Sequence, residues 1–433
     1  MRSTYRVKTV LLGSGERLPV LVDDSGMPLF DVTVFALTEI RGRNLASNTI
    51  GHVLRSIMFF HLFLDFRGID LDQRMDNGEL LSMSELEDLV RQSRRPIEGL
   101  ASKAAATYPS KHARGPVADQ SPTASLEKVR MGIKRSEEDV VSTAVMATRL
   151  QYIRSYIQWL VNMRLDRLGI DSQKAVMLRD GVTRVTEAIS SRIPRKSGRA
   201  LGRQRQGLSE SDQAELLRVI DPACPDNPWA DEHTRYRNAL LIHWLLELGL
   251  RLGEALGVRN SDIDTYHREV TIHRRADDPE DPRRDQPQVK TRPRVLPLRE
   301  KLLLETQAYI VDHRRQLPAA KKHPFLFVAS RTGQPLTLVA AKKIFVELRQ
   351  RCSRLPKNLS AHVLRHTWND RFSEEADKKG TDPETEKHIR SYLMGWAPTS
   401  STAATYTRRH VQRKAREVSL ALQTKLMNPG NKK

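Results

Sequence analysis

Six residues recur in an order that suits one kind of chemistry. They are Arg251, Lys290, His362, Arg365, Trp396 and Tyr406. A phosphodiester resists attack because its charge repels nucleophiles and its alkoxide leaves poorly. A metal-free solution needs cations on the non-bridging oxygens and a proton for the leaving oxygen. Arginine meets the first need, since its planar fork donates two parallel hydrogen bonds and keeps its charge. Arg251, in "LELGLRLGEALGV", and Arg365, in "HVLRHT", are the candidate pair, with Glu254 three residues beyond Arg251 as a supporting acid. His362 lies one helical turn before Arg365, so both leave the same face, and its imidazole can bind phosphate or move a proton near neutral pH. A solvated His/Arg pair on a helix is the competing reading of that short pattern.

Lys290 stands in "QVKTRPRVLPL", just before a strand, where an ammonium could protonate a leaving 5′ oxygen. A solvated surface charge is the alternative, and Arg292 and Arg294 on the same element compete for the role. Trp396 offers an indole N–H to a phosphate oxygen, or else packs a loop. Tyr406 is the candidate nucleophile; its phenol needs nearby cations to favour the phenolate. Tyr266, Tyr309 and Tyr392 lack such neighbours. The set asks for no metal and no cofactor.

The elements that must position these residues are mostly helical. Residues 1–30 read as a small β unit, with β-branched runs and turn residues at Gly13–Gly15 and Asp23–Gly26. Ser47 is a candidate N-cap for a helix carrying Ile50, Val53, Ile57, Phe60 and Leu64. A helix is expected over Ser84–Arg94, and another around Met146–Leu160. Residues 95–140, with several prolines and many basic residues, read as a loop-rich insertion or a helix broken in several places. Arg192, Arg195, Lys196, Arg199, Arg203 and Arg205 form an acid-free basic stretch, read as a linker lying on a phosphate backbone; a solvated linker is the alternative. Ser209 and Asp212 open the second domain as a capping pair. Helices are expected near 233–248, 252–258, 299–316, 337–353, 360–376 and 384–394. Strands are expected at "EVTIHRR", "RVLPL" and "FLFVA", the first two joined by the polar stretch 277–288. Val411, Ala415, Val418, Leu422 and Leu426 mark a C-terminal helix.

Composition agrees with a polyanionic partner. The chain has 72 Lys and Arg against 52 Asp and Glu, a net charge of +20. Two cysteines exclude a disulfide framework and a four-ligand zinc site built on cysteine. No apolar run approaches a membrane span, and a soluble, cytoplasmic, prokaryotic protein is expected.

Taken together, these motifs resemble the tyrosine recombinase (phage integrase) family. "ELGLRLGEALGV" resembles its first arginine box, "VKTRPRVLPL" its lysine hairpin and "HVLRHT" its second arginine box. "LMGW" stands where most members have Leu-Gly-His, and the spacing from Trp396 to Tyr406 is one residue longer than in typical members. The catalytic resemblance covers about 207–425, and "RNLASNTIGHVLRSIMFFHLFLDF" resembles the start of the family's core-binding domain. The resemblance implies a mainly α chain with a small β-sheet. Residues 1–30 would be a β-rich segment, 31–190 a helical core-binding domain, 191–206 a basic linker and 207–433 the catalytic domain. Together they would form a C-shaped clamp on double-stranded DNA. It further implies cleavage through a 3′-phosphotyrosine by Tyr406 and strand exchange through a four-way junction. A homotetramer on two duplexes, and an accessory DNA-bending or directionality factor, would complete the assembly, with the C-terminal helix either docking on a neighbouring subunit or packing on its own domain. The rivals are a type IB topoisomerase, a telomere resolvase and a non-catalytic DNA-binding protein of the same fold. A metal-dependent transposase would need an acidic triad that is not recognisable here.

Overall fold

The computed structural model describes residues 5–43, 46–100, 140–168, 172–194, 207–289, 291–397, 400, 403, 406, 415 and 418–424. Lys290, the basic residues Arg195 to Arg205 and most of the expected insertion lie outside these. The chain divides into two units, one of residues 1–12 and 17–199, the other of 13–16 and 200–433.

The first unit opens with an antiparallel hairpin of β1 (Arg6–Leu11) and β2 (Arg17–Val22), in register from Arg6↔Val22 to Leu11↔Arg17. Gly15 and Gly26 take φ of +85° and +92°, as the two turns require. Leu21 is fully buried in the helical core, so the hairpin is part of that core rather than an appendage. The helices are α1 (Phe30–Phe35), α2 (Ser47–Arg67), α3 (Leu71–Asp76), α4 (Met83–Gln92), α5 (Thr143–Leu165) and α6 (Gln173–Arg192). On α2, Val53, Ile57 and Phe60 are sealed from solvent, each worth roughly 1.5–3 kcal/mol of burial. Its N-cap is Ala46, not Ser47: the chain enters extended at Ala46, whose carbonyl accepts from Thr49 and Ile50. Gly68, at φ +64°, ends it. Helix α4 starts earlier than Ser84 because Ser82 caps it, with Glu85 returning a bond to the Ser82 N–H at 2.8 Å.

The second unit holds α7 (Glu210–Ile220), α8 (Glu232–Glu247), α9 (Leu252–Gly257), α10 (Glu300–Ala308), α11 (Leu338–Arg351), α12 (Ala361–Lys378) and α13 (Pro383–Met394). Ser209 caps α7, accepting from Asp212 at 3.1 Å. Strands β3 (Ile263–Asp264), β4 (Glu269–Ile272) and β5 (Arg294–Pro297) make an antiparallel sheet in that order. Trp244 on α8 is buried among Leu241, Leu245 and Phe327. Two expectations fail. The helix at 299–316 is α-helical only to Ala308, then widens and tightens, and Arg314 is instead turned onto the carbonyls of Ala320, His323 and Phe325. "FLFVA" is no strand; Phe325 and Val328 make single bridges to Arg259 and Pro335. Near the C-terminus, Ala415 and residues 418–424 are helical, with Val418 and Leu422 exposed; Val411 and Leu426 lie outside the described residues. The described residues are therefore mostly helical with two small antiparallel sheets. Among the described residues, no helix is long and apolar enough to cross a membrane.

Candidate active site

Helix α8 ends in a turn that only glycine can make comfortably. Gly249 has φ +61°, and a Cβ there would lie 2.8 Å from the Trp368 ring and from the Met394 methyl. The chain then rises to Arg251, the N-cap of α9. Glu254, one turn into α9, reaches back to accept from the Arg251 backbone N–H at 2.9 Å and from its Nη1 at 3.3 Å.

The Glu254 carboxylate is fully buried and ties three distant segments together. It accepts from Thr291 Oγ1 at 2.5 Å and from Arg294 Nη2 at 2.9 Å, and lies 3.8 Å from Arg365 Nη1. Burial pushes its pKa up, but Arg294 and Arg365 outweigh this and hold it below the usual carboxylate range. Arg294 is therefore a sealed structural cation. It is not a groove-facing competitor of Lys290, which itself lies outside the described residues.

Arg365 points inward from the second turn of α12, which Ser360 caps. Its Nη1 donates to the Gly249 carbonyl at 2.6 Å and its Nη2 to the Met394 carbonyl at 3.2 Å. Burial, then the neighbouring Arg251 charge, pushes its pKa down to about 9, with Glu254 opposing. It stays a cation at neutral pH. His362, one turn earlier, is exposed. Arg251, His362 and Arg365 line one cleft of about 510 Å³, joined there by Lys342 and Arg349 of α11.

Helix α13 ends at Gly395, whose φ of +65° turns the chain toward Trp396. Trp396 is buried, its Nε1 has no hydrogen-bond partner among the described residues, and the Arg365 guanidinium lies 5.5 Å from its ring. The Tyr406 ring stacks on Trp396 at 5.6 Å and 13°. Its hydroxyl is 2.8 Å from His366 Nδ1. The Arg390 guanidinium of α13, paired with Glu386, lies 5.8 Å from the same phenol ring. Burial lowers the Arg390 pKa, and Glu386 opposes the shift.

Five of the six residues selected by type and order thus lie in the described structure: Arg251, His362 and Arg365 share the cleft, and Arg365, Trp396 and Tyr406 are linked by ring contacts. His366, Thr291 and Arg390 were not among those selected. His366 carried a signal, standing next to Arg365 and four residues after His362. Arg192 closes α6, donating to the Ala188 carbonyl and to Glu87 at 3.2 Å. Among the described residues no group of three or more His, Cys, Asp or Glu side chains gathers as a metal site would need.

The sequence profile described as the phage integrase family matches residues 211–413, which span the entire site. Residues 211–413 are thus a phage integrase domain, the catalytic domain of tyrosine recombinases. The chain is an enzyme of site-specific DNA recombination. Solved structures similar to the recombinase include the Tn1549 transposon integrase in complex with circular intermediate DNA. That match has 16% identity and a TM-score of 0.38, and covers 61% of this chain and 75% of that one. XerA recombinase aligns at 14% identity and TM-score 0.33 over 88% of this chain and 93% of that one. XerH site-specific recombinase bound to difH aligns at 16% identity and TM-score 0.35, over 78% and 85%. No curated protein sequence matches the recombinase.

Proposed function

We propose that the recombinase cuts and rejoins duplex DNA with Tyr406 as nucleophile. Attack of the phenol oxygen on the scissile phosphate leaves a 3′-phosphotyrosine and a free 5′ hydroxyl. Arg251 and Arg365 hold the non-bridging oxygens, His362 and the Trp396 N–H add donors, and Lys290 protonates the departing 5′ oxygen. A 5′ hydroxyl from a second duplex then attacks the phosphotyrosine and restores the phenol. Each step exchanges one phosphoester for another, so no ATP is consumed. Two rounds pass through a four-way junction, which calls for four copies of the chain on two duplexes.

The observation that carries this reading is the stack of Tyr406 on Trp396, with the Arg365 guanidinium beside the same indole. Nucleophile, N–H donor and phosphate-binding cation adjoin one ring. The net charge of +20 supports a DNA partner, with residues 31–190 as a core-binding domain and Arg192 to Arg205 contacting phosphates between it and the catalytic domain at 207–433. Exposure of Val418 and Leu422 supports docking of the C-terminal helix on a neighbouring subunit. An accessory DNA-bending or directionality factor and a prokaryotic cytoplasm complete the proposal.

Covalent capture tests it. Wild type and Tyr406→Phe are expressed in the native host, lysed with EDTA and denatured, and protein-linked DNA is sequenced. Adducts at one locus, absent with Tyr406→Phe, are expected. Adducts scattered over all DNA would indicate a relaxing topoisomerase, and tight binding without adducts a non-catalytic protein.

A further inference from the structure

We propose that His366 is the base that takes the Tyr406 proton in strand cleavage and returns it in rejoining, an assignment that rests on Tyr406 being the nucleophile. The hydroxyl and Nδ1 are 2.8 Å apart, within the reach a general base needs. Both residues are only 7% exposed, so bulk water has little access to the proton. A phenol titrates near ~10 and an imidazole near ~6.5, so at neutral pH the imidazole is the group ready to accept.

The two histidines of α12 divide the work. His362 is exposed and lines the cleft with Arg251, facing the phosphate side. His366, one turn on, is buried against the phenol, and the two imidazole rings lie 4.3 Å apart at 71°. The cations near the pair favour the phenolate: Arg390 lies 5.8 Å from the Tyr406 ring on one side, and Arg365 lies beside Trp396 on the other element of the stack. In the step, the Tyr406 O–H bond breaks toward Nδ1 as the bond from the phenol oxygen to phosphorus forms. The bond from phosphorus to the 5′ oxygen breaks, and that oxygen takes a separate proton from the general acid. The phosphate charge offsets the new imidazolium. Rejoining reverses each transfer.

The test uses the full-length recombinase and the DNA segment recovered by covalent capture, prepared as a nicked duplex with a 5′-bridging sulfur. The thiolate leaves without an acid, so the rate reports on the nucleophile alone. His366→Gln should slow adduct formation by at least about 100-fold, remove the rate limb near neutrality and leave a rate that climbs with pH. His362→Gln should keep that limb. Difluorotyrosine at position 406, a more acidic phenol, should recover most of the His366→Gln loss, which a structural defect would not allow. In the otherwise unchanged chain, difluorotyrosine should leave the limb in place. A limb that moves down with the phenol would show that no base serves and overturn the assignment, whether or not the glutamine variant folds. A Tyr406 adduct formed by His366→Gln at the wild-type rate and pH profile would overturn it alone. Absence of any Tyr406-dependent adduct would overturn the nucleophile and the base together.

Discussion

Glu254 and Arg294 stand 2.9 Å apart, with side chains 0% and 1% exposed. A buried pair is a weak source of net stability, yet breaking it leaves one charge stranded in a low-dielectric interior. Glu254→Ala should therefore cost about 3–5 kcal/mol, measured by chemical denaturation. It also removes the brace on the Arg251 backbone, so DNA cleavage should fall in whatever fraction still folds. A loss below about 1 kcal/mol would mean that water or Thr291 replaces the carboxylate.

Gly249 is the second vulnerable point. Alanine there meets both a positive φ and a 2.8 Å approach to Trp368 and Met394, while its carbonyl anchors Arg365. Gly249→Ala should cost roughly 2 kcal/mol or more, and cleavage should fall further than DNA binding. Gly257 is the control. It has no positive φ, and an added methyl would meet nothing within 4 Å, so alanine there should be neutral or stabilising in thermal melts.

Arg365→Lys separates charge from shape. The guanidinium spans the Gly249 and Met394 carbonyls, which an ammonium cannot do. Single-turnover cleavage should slow on the order of 10²–10³-fold, with duplex affinity nearly kept. Cleavage within threefold of wild type would remove Arg365 from the phosphate clamp.

Acid should loosen the first unit through Glu85. Its two-pronged contact with Arg74 at 2.8 and 2.9 Å holds its pKa down to about 2. A depressed carboxyl contributes stability that is complete above its unfolded value, near ~4.3, and that fades as pH falls toward the folded one. Circular dichroism from about pH 5 down to about pH 2 should show Glu85→Gln destabilised at the upper end and converging with wild type at the lower. Parallel curves across that window would assign the acid sensitivity elsewhere.

Helices with a clean apolar stripe and a capping residue were legible from local pattern alone, as Ser209 before α7 and the buried face of α2 illustrate. Their positions depend on spacing of three to four residues, which the chain displays openly. The hairpin at Arg6–Val22 was equally visible, but its burial in the helical core was not, because Leu21 joins the cluster that holds Val32 and Phe35 only in the folded unit. The chemistry-bearing residues were found by type and order. Their partners were hidden for the same reason as the Leu21 contacts: His366 acquires its role from a tyrosine forty residues away, and Arg294 becomes structural only because Glu254 is folded under it. "FLFVA" misled because a β-branched apolar run says nothing of whether a neighbouring strand exists to receive it.

The stack of Tyr406 on Trp396 makes the recombinase its own optical gauge. The indole is buried, lies parallel to the phenol and has a guanidinium 5.5 Å away. If the phenol leaves that ring to join a phosphate, as the proposed nucleophile must, the indole loses an apolar neighbour and gains an anion. Its emission should then change with the bond-making event, and the signal of Trp396→Phe in the absence of DNA gives the background of the other four tryptophans. Such a change would let strand cleavage be followed in real time, without label or gel.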